Sequence, residues 1–114
     1  MSVFYSPGYT PEWRYQRWDA TTTLAFWTPR TGNSVVLTGL NISNNAAAGT
    51  FAIFYGTTNS GPQIVAQFTI GASATVFPAF SPIEGTIKGG VFYGRPSSSP
   101  SDGFTLTALG FEVE

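Results

Sequence analysis

The sequence contains no cysteine and no histidine. Without cysteine the chain can form neither a disulfide nor a thiolate zinc site, and without histidine it lacks the commonest general base and transition-metal ligand. Serine and threonine are abundant, but no histidine can activate them, and the single lysine, Lys88, does not follow a serine at the S-x-x-K spacing. We therefore expect no cofactor, no metal ion and no enzymatic activity.

Charge and long apolar runs are also scarce. Charged residues make up 10% of the 114 residues and the net charge is −1, which gives no field to attract polyanions, so we expect no nucleic-acid partner. The uncharged stretch from Thr31 to Ile83 is interrupted throughout by polar residues and glycine, so we expect no membrane partner. Trp13, Arg14, Arg17 and Asp19 occupy positions where a signal peptide needs an apolar core, so we expect synthesis in a cytoplasm.

Carboxylates are the only catalytic groups present in number. They lie far apart in the sequence or on the expected polar face of the last strand, and no two of them form an evident acid and base pair. We interpret them as solvated surface charges. They are Glu12, Asp19, Glu84, Asp102, Glu112 and Glu114.

From residue 21 onward, short runs rich in valine, isoleucine, threonine and phenylalanine alternate with clusters of glycine, proline, asparagine and serine. This pattern predicts one all-β domain over residues 21–114, an antiparallel β-sandwich of seven or eight strands with a jelly-roll-like or other Greek-key topology. The predicted strands are Thr21–Trp27, Ser34–Ser43, Thr50–Tyr55, Gln63–Ile70, Ala74–Phe77, Ile83–Ile87, Gly90–Tyr93 and Phe104–Val113.

In two of these strands, Ser34–Ser43 and Phe104–Val113, the apolar residues alternate regularly but shift by one position partway along. If all apolar residues face inward, a β-bulge is required at Thr38–Gly39 and another at Thr107–Ala108. The strand at 63–70 alternates regularly, which predicts inward Ile64, Ala66, Phe68 and Ile70. The core residues predicted on this basis are Leu37, Leu40, Ile42, Ile53, Ile64, Phe68, Leu106 and Phe111.

Residues 1–20 differ from the rest, because they contain six of the eighteen aromatic residues and show no clear strand alternation. Thr10 and Pro11 suit the start of a helix, so the stretch from Pro11 to Asp19 could form two helical turns. We interpret residues 1–20 as an N-terminal extended arm. Aromatic residues interleaved with arginine are typical of interface hot spots, which makes the arm a candidate partner-binding element. The residues concerned are Trp13, Arg14, Tyr15, Arg17 and Trp18.

Two other interpretations of the arm stay open. It could fold back over an open end of its own sandwich, or Trp13 or Trp18 could stack on a sugar. If the arm binds a partner, deleting residues 1–20 should abolish binding and leave the sandwich folded.

Several strand sequences carry a family resemblance. The run V-L-T-G-L-N-I-S-N at 36–44, F-A-I-F-Y-G at 51–56, I-V-A at 64–66, G-F-T-L-T at 103–107 and the closing G-F-E-V at 110–113 resemble small β-sandwich proteins of tailed bacteriophage virions. The resemblance covers residues 34–114 and excludes the arm. It implies a virion structural role, most often as a capsid decoration (cement) protein and sometimes as part of a tail or fibre.

By the same resemblance, the expected partner is the major capsid protein or another virion protein, the expected location is the virion, and the expected assembly is a homotrimer. Association of some kind is also favoured by composition, since eighteen aromatic residues exceed what one small core and a monomer's surface should hold. The alternative function is a carbohydrate-binding module of a tail fibre or adhesin.

Overall fold

A computed structural model describes residues 10–45, 47–57, 63–78, 81–97 and 103–114. These residues contain nine β-strands, and no helix among them is long and apolar enough to cross a membrane. The strands are β1 (Glu12–Trp18), β2 (Leu24–Trp27), β3 (Ser34–Asn44), β4 (Gly49–Gly56), β5 (Gln63–Ile70), β6 (Thr75–Val76), β7 (Ile83–Glu84), β8 (Val91–Pro96) and β9 (Phe104–Val113).

The strands form two antiparallel sheets that pack face to face, so the predicted β-sandwich is confirmed. Sheet I has the order β1-β9-β3-β6, with β7 also paired to β3, and sheet II has the order β2-β8-β4-β5. The chain is organised like one long hairpin that is folded over into two sheets. Each pair of strands encloses the next pair along the chain, in the order β1–β9, β2–β8, β3–β6 and β4–β5. This nesting gives the jelly-roll strand order.

All eight predicted strands are present, and β5 and β9 begin and end at the predicted residues. The ninth strand is β1, which lies in the segment interpreted as an arm. The suggestion of two helical turns from Pro11 to Asp19 is wrong, because residues 12–18 are extended and pair with β9 from Glu12↔Gly110 to Trp18↔Phe104. The burial of β1 alternates along its length, so the segment does have a strand period.

Large rings fill the space between the sheets. Trp18 meets Phe51 edge-on, with ring centroids 4.9 Å apart, and Phe51 stacks on Phe104 at 5.1 Å. Of the predicted core residues, Leu37, Leu40, Ile42, Ile53 and Leu106 are buried. Phe68 packs against the core and is only partly buried, and the predictions for Ile64 and Phe111 are wrong.

The predicted bulge in β3 is confirmed, because the pairing with β9 shifts between Leu37 and Gly39. The predicted bulge in β9 is wrong, since β9 pairs with β1 and β3 without a shift at Thr107–Ala108. Strict alternation therefore continues to the end of β9. As a result Phe111 lies on the outer face of sheet I, and Glu112, expected on a polar face, is buried between the sheets.

An unpredicted bulge explains the error at Ile64. Ile53 pairs with Ala66, but the next residue of β4, Phe54, pairs with Ile64, so Val65 is the extra residue. A bulge reverses the facing of every residue beyond it. Ala66, Phe68 and Ile70 keep the predicted inward direction, whereas Ile64 turns outward and is 53% exposed.

Candidate functional site

Strand β1 divides the five predicted partner-binding residues between two faces of sheet I. Trp13, Tyr15 and Arg17 alternate outward and are exposed, whereas Arg14 is half-buried and Trp18 is fully buried on the inner side. The sequence placed these residues in one cluster, but a strand sends neighbouring side chains to opposite faces. Only the outward set is available to a partner in the folded chain.

Trp18 belongs to the core. Its indole Nε1–H donates a hydrogen bond to the carbonyl oxygen of Gly94 at 3.0 Å, and its ring packs against Phe51. Position 94 has to be glycine here, because a Cβ would collide with the rings of Phe51 and Trp18. The side chain of Trp18 thus ties the edge strand β1 to the opposite sheet.

Arg14 takes part in an ionic cluster at one end of the sandwich, in which Glu112 is buried and Arg30 is largely exposed. Its guanidinium lies 4.7 Å from the centroid of the Trp27 ring, pairs with Glu12 at 2.9 Å and lies 3.6 Å from a carboxylate oxygen of Glu112. Arg30 completes the cluster with ion pairs to Glu12 at 2.6 Å and to Glu112 at 3.4 Å. Two carboxylates and two guanidinium groups balance the charge.

Glu112 is the buried centre of this cluster. It accepts hydrogen bonds from Trp27 Nε1 at 3.0 Å, from the backbone N–H of Arg30 at 3.0 Å and from Asn33 Nδ2 at 2.9 Å. Burial by itself raises the pKa of Glu112, but these hydrogen bonds and the charge of Arg30 outweigh it and hold that pKa below the ordinary value. The carboxylate therefore fixes the β2–β3 loop to the end of β9.

Glu12 is held ionised by the same arginines. Its hydrogen bond with Arg30 is the main cause that lowers its pKa to about 2, burial opposes the shift, and Arg14 adds to it. No sequence pattern indicates that Glu12 and Glu112 meet, because they are one hundred positions apart and the pairing of β1 with β9 brings them together. Among the described residues no group of three or more Asp, Glu, His or Cys side chains could hold a metal ion.

The outward residues of β1 continue into an apolar surface on β9 and β3. Trp13 is 65% exposed, Tyr15 56% and Leu109 46%, and Trp13 and Leu109 are direct partners across β1 and β9. A shallow groove of about 490 Å³ follows, lined by Val36, Phe111 and Val113 together with Pro82 and Glu84. We call this surface the outer apolar face; it comprises Trp13, Tyr15, Leu109, Phe111, Val113 and Val36.

Arg17 lies at the far end of the same face of β1. Its Nε–H is 3.0 Å from Asp19 Oδ1, and both side chains are largely exposed. Arg17, one of the two arginines predicted to contact a partner, thus forms an ion pair with a neighbouring carboxylate of its own chain.

A second groove, with a volume of about 640 Å³, lies on the outer face of sheet II. Phe54 and Ile64 supply apolar surface, and Gln67, Thr50 and Ser97 supply polar groups. The guanidinium of Arg95 lies 5.0 Å from the centroid of the Phe54 ring. This groove could not be predicted from the strand pattern, because Ile64 reaches the outer face through the bulge at Val65.

No known protein-family model matches the chain, and no curated protein matches it significantly.

Proposed function

We propose that this chain is a non-enzymatic virion structural protein of a tailed bacteriophage, a capsid decoration protein that binds and stabilises the assembled shell. Its partner on the shell is the major capsid protein. The resemblance of residues 34–114 to small β-sandwich virion proteins supports the class. Jelly rolls occur in viral capsid and lectin domains, but one fold hosts many functions, so the proposal depends on the surface more than on the topology.

The observation that carries the proposal is the outer apolar face. Trp13, Tyr15 and Leu109 are each about half exposed or more, and they lie side by side on two paired strands. Large exposed aromatic groups that adjoin a groove are typical of protein interfaces, where a single aromatic hot spot contributes about 2 kcal/mol or more. A broad sheet face of this kind suits adhesion to another protein surface.

Co-sedimentation with assembled shells tests the proposal. The double variant Trp13→Ala/Tyr15→Ala should lose shell binding and keep the melting temperature of the parent chain, because both side chains lie outside the core. Ile64→Ala is the matched control, since Ile64 is a comparably exposed apolar residue on the opposite sheet. Shell binding by the double variant with unchanged affinity would reject the outer apolar face as the adhesive surface.

The proposed arrangement on the shell is a homotrimer around a local three-fold axis. Three copies would present three outer apolar faces to symmetry-related capsid subunits, which raises the avidity of a weak single contact. Quantitative gel densitometry of decorated shells should show three copies for each local three-fold axis. Any other ratio contradicts the trimer without affecting the adhesive role.

A carbohydrate-binding module of a tail fibre or adhesin is the second candidate function. The groove on sheet II favours it, because an aromatic ring beside amide, hydroxyl and guanidinium groups provides both stacking and hydrogen bonds. Trp13 and Tyr15 provide exposed rings for stacking on sheet I, whereas Trp18 is buried and cannot take this role. Binding on a glycan array that is lost in Gln67→Ala, together with no shell binding, would support this function over the first.

A further inference from the structure

Among the described strands, β5 is an exposed edge of sheet II, and the bulge at Val65 near its start is the one protection against pairing that it carries. Natural proteins protect sheet edges with charges, prolines, bulges or very short strands. The other edges among the described strands have such protection: β1 carries Glu12, Arg14 and Arg17, β2 has four residues, and β6 and β7 have two each. In contrast, β5 has eight residues, Q-I-V-A-Q-F-T-I, with no charge, proline or glycine.

The inner side of this edge is also incompletely covered. Phe68 points toward the core and packs against it, yet it is only partly buried, and the neighbouring inward residue Ala66 is partly exposed as well. The opposite sheet ends on this side with β6, which has only two residues. Within the part of the chain that the structure describes, the last inward ring of sheet II therefore lacks a complete covering layer.

The sequence of β5 matches a second copy of itself. Directly opposed residues of two antiparallel strands point to the same face of the sheet. The inward residues Ala66, Phe68 and Ile70 of one copy therefore have to lie opposite inward residues of the other copy. The regular part of the strand runs from Ala66, just after the bulge, to Ile70. Its centre is Phe68, and pairing about that residue places Ala66 opposite Ile70 and Gln67 opposite Thr69 of the second copy.

We propose that two copies of this chain pair antiparallel through β5, in the register centred on Phe68. The two four-stranded sheets then form one continuous sheet of eight strands across a two-fold axis. An uncharged strand adds no like-charge contact when it meets its own copy, and the two Phe68 rings cover each other at the open edge. This contact uses no residue of the outer apolar face, so it does not depend on the proposed function. It joins two copies in solution, or copies of two neighbouring trimers on a shell, and is distinct from the contacts around the proposed three-fold axis.

Single-cysteine crosslinking tests the register, because the natural chain contains no cysteine. Antiparallel partners have Cα atoms roughly 4.5–5.5 Å apart, which a disulfide can bridge, whereas residues offset by two positions exceed the limit of about 7 Å. Under mild oxidation Phe68→Cys should form a covalent dimer. Gln67→Cys alone and Thr69→Cys alone should each form no covalent dimer, whereas a mixture of the two should form one.

A lack of crosslinking in both Phe68→Cys and the mixture would overturn the proposal. Equal crosslinking of the three single variants would also overturn it, because chains that collide at random form disulfides at any exposed position, whatever its place in the strand. Trp13→Cys, on the exposed outer apolar face, is the control for such collisions and should not crosslink.

Light scattering provides a test that leaves Phe68 intact. The parent chain should have twice the protomer mass of 12.2 kDa, and Thr69→Lys should reduce it to the mass of one protomer. Lysine at an exposed edge position is a natural protection against strand pairing. Thr86→Lys, at an exposed threonine outside β5, is the matched control and should remain dimeric, as should Trp13→Ala/Tyr15→Ala. A mass that is the same for the parent chain and Thr69→Lys would overturn the proposal.

Discussion

At the scale of single residues, Glu112 shows how one buried carboxylate organises an end of the sandwich. Its oxygens accept hydrogen bonds from β2, from the loop after β2 and from Asn33, and two guanidinium groups surround it. A buried charge is tolerated only when it is paired and fully hydrogen-bonded. The cluster therefore stabilises one particular arrangement of β1, β9 and the β2–β3 loop.

Replacing Glu112 with alanine should lower the free energy of unfolding by about 3–5 kcal/mol, because it leaves buried donors without an acceptor and removes one of the two carboxylates that neutralise Arg14 and Arg30. Urea denaturation measures the change. Glu114→Ala is the control: Glu114 is exposed, two residues farther along, and its removal should change the free energy by no more than about 0.5 kcal/mol. Similar values for the two variants would contradict the structural role of Glu112.

The same cluster predicts how stability depends on pH. The pKa of Glu12 is lowered from 4.5 to about 2, and that of Glu112 is lowered as well. A lowered pKa means that the unfolded chain binds protons first as the solution is acidified, so this contribution to stability is complete above about pH 4.5 and is lost as the pH falls toward 2. The melting temperature should fall in that window, and Glu12→Gln should fall less. An equal fall in both proteins would contradict this assignment.

At the scale of elements, β1 is the strand that most changes the interpretation of the sequence. If residues 1–20 were an arm that binds a partner, the sandwich should stay folded after their deletion. The structure leads to the opposite expectation, because β1 pairs with β9 along its whole length and supplies the fully buried Trp18. Removing β1 exposes the inner residues of β9 together with the ionic cluster.

A comparison of two tryptophans of β1 tests whether this strand is part of the folded sandwich. Trp18→Ala should lower the free energy of unfolding by about 3–5 kcal/mol, since it empties a buried site and removes the hydrogen bond to Gly94. Trp13→Ala should change it by no more than about 0.5 kcal/mol, because the Trp13 ring is mostly exposed. Thermal or urea unfolding distinguishes the two, and a loss of similar size in both would mean that β1 does not occupy this position.

The positions of the strands could be predicted from sequence, but their bulges could be predicted only where a glycine stands at the point at which the apolar alternation shifts. Gly39 marked the bulge in β3 correctly. The bulge at Val65 left no such mark, because a bulge depends on the register with β4 as much as on its own residues. In β9 the assumption that every apolar residue faces inward produced a false bulge and moved Glu112 to the wrong face.

For the candidate site, the sequence identified the segment but not the direction of its side chains. The aromatic and arginine content of residues 13–18 pointed correctly to an unusual segment, but composition carries no information on which face each side chain takes. Pro11 and Thr10 favoured a helix start, and the charges on β1 are unusual for a strand. Only pairing with β9, the last strand of the chain, determines that Trp13 faces outward and Trp18 inward.

At the scale of the whole molecule, the nested hairpin brings both ends of the described chain into sheet I and separates two kinds of surface. Sheet I presents the outer apolar face, and sheet II presents a groove lined by both polar and apolar side chains and the uncharged edge β5. Adhesion to a shell and pairing between copies can therefore occur on different parts of one chain. The ionic cluster lies at one end of the sandwich, where Glu112 is buried and the guanidinium of Arg30 is largely exposed, and none of its residues lines either groove.

This separation predicts that shell binding is nearly independent of salt. The contact proposed for the outer apolar face consists mainly of aromatic and aliphatic groups, and burial of apolar area is not screened by ions, whereas contacts between exposed charges weaken as the Debye length shortens. Affinity for shells, measured by co-sedimentation at low and at high sodium chloride, should change by less than about threefold, because a chain with net charge −1 has little long-range attraction to lose. Arg17→Gln, which removes the charged group at the edge of this face, should bind as the parent chain does. A steep loss of binding with increasing salt would mean that the charged residues of β1, and not the apolar residues, make the contact with the shell.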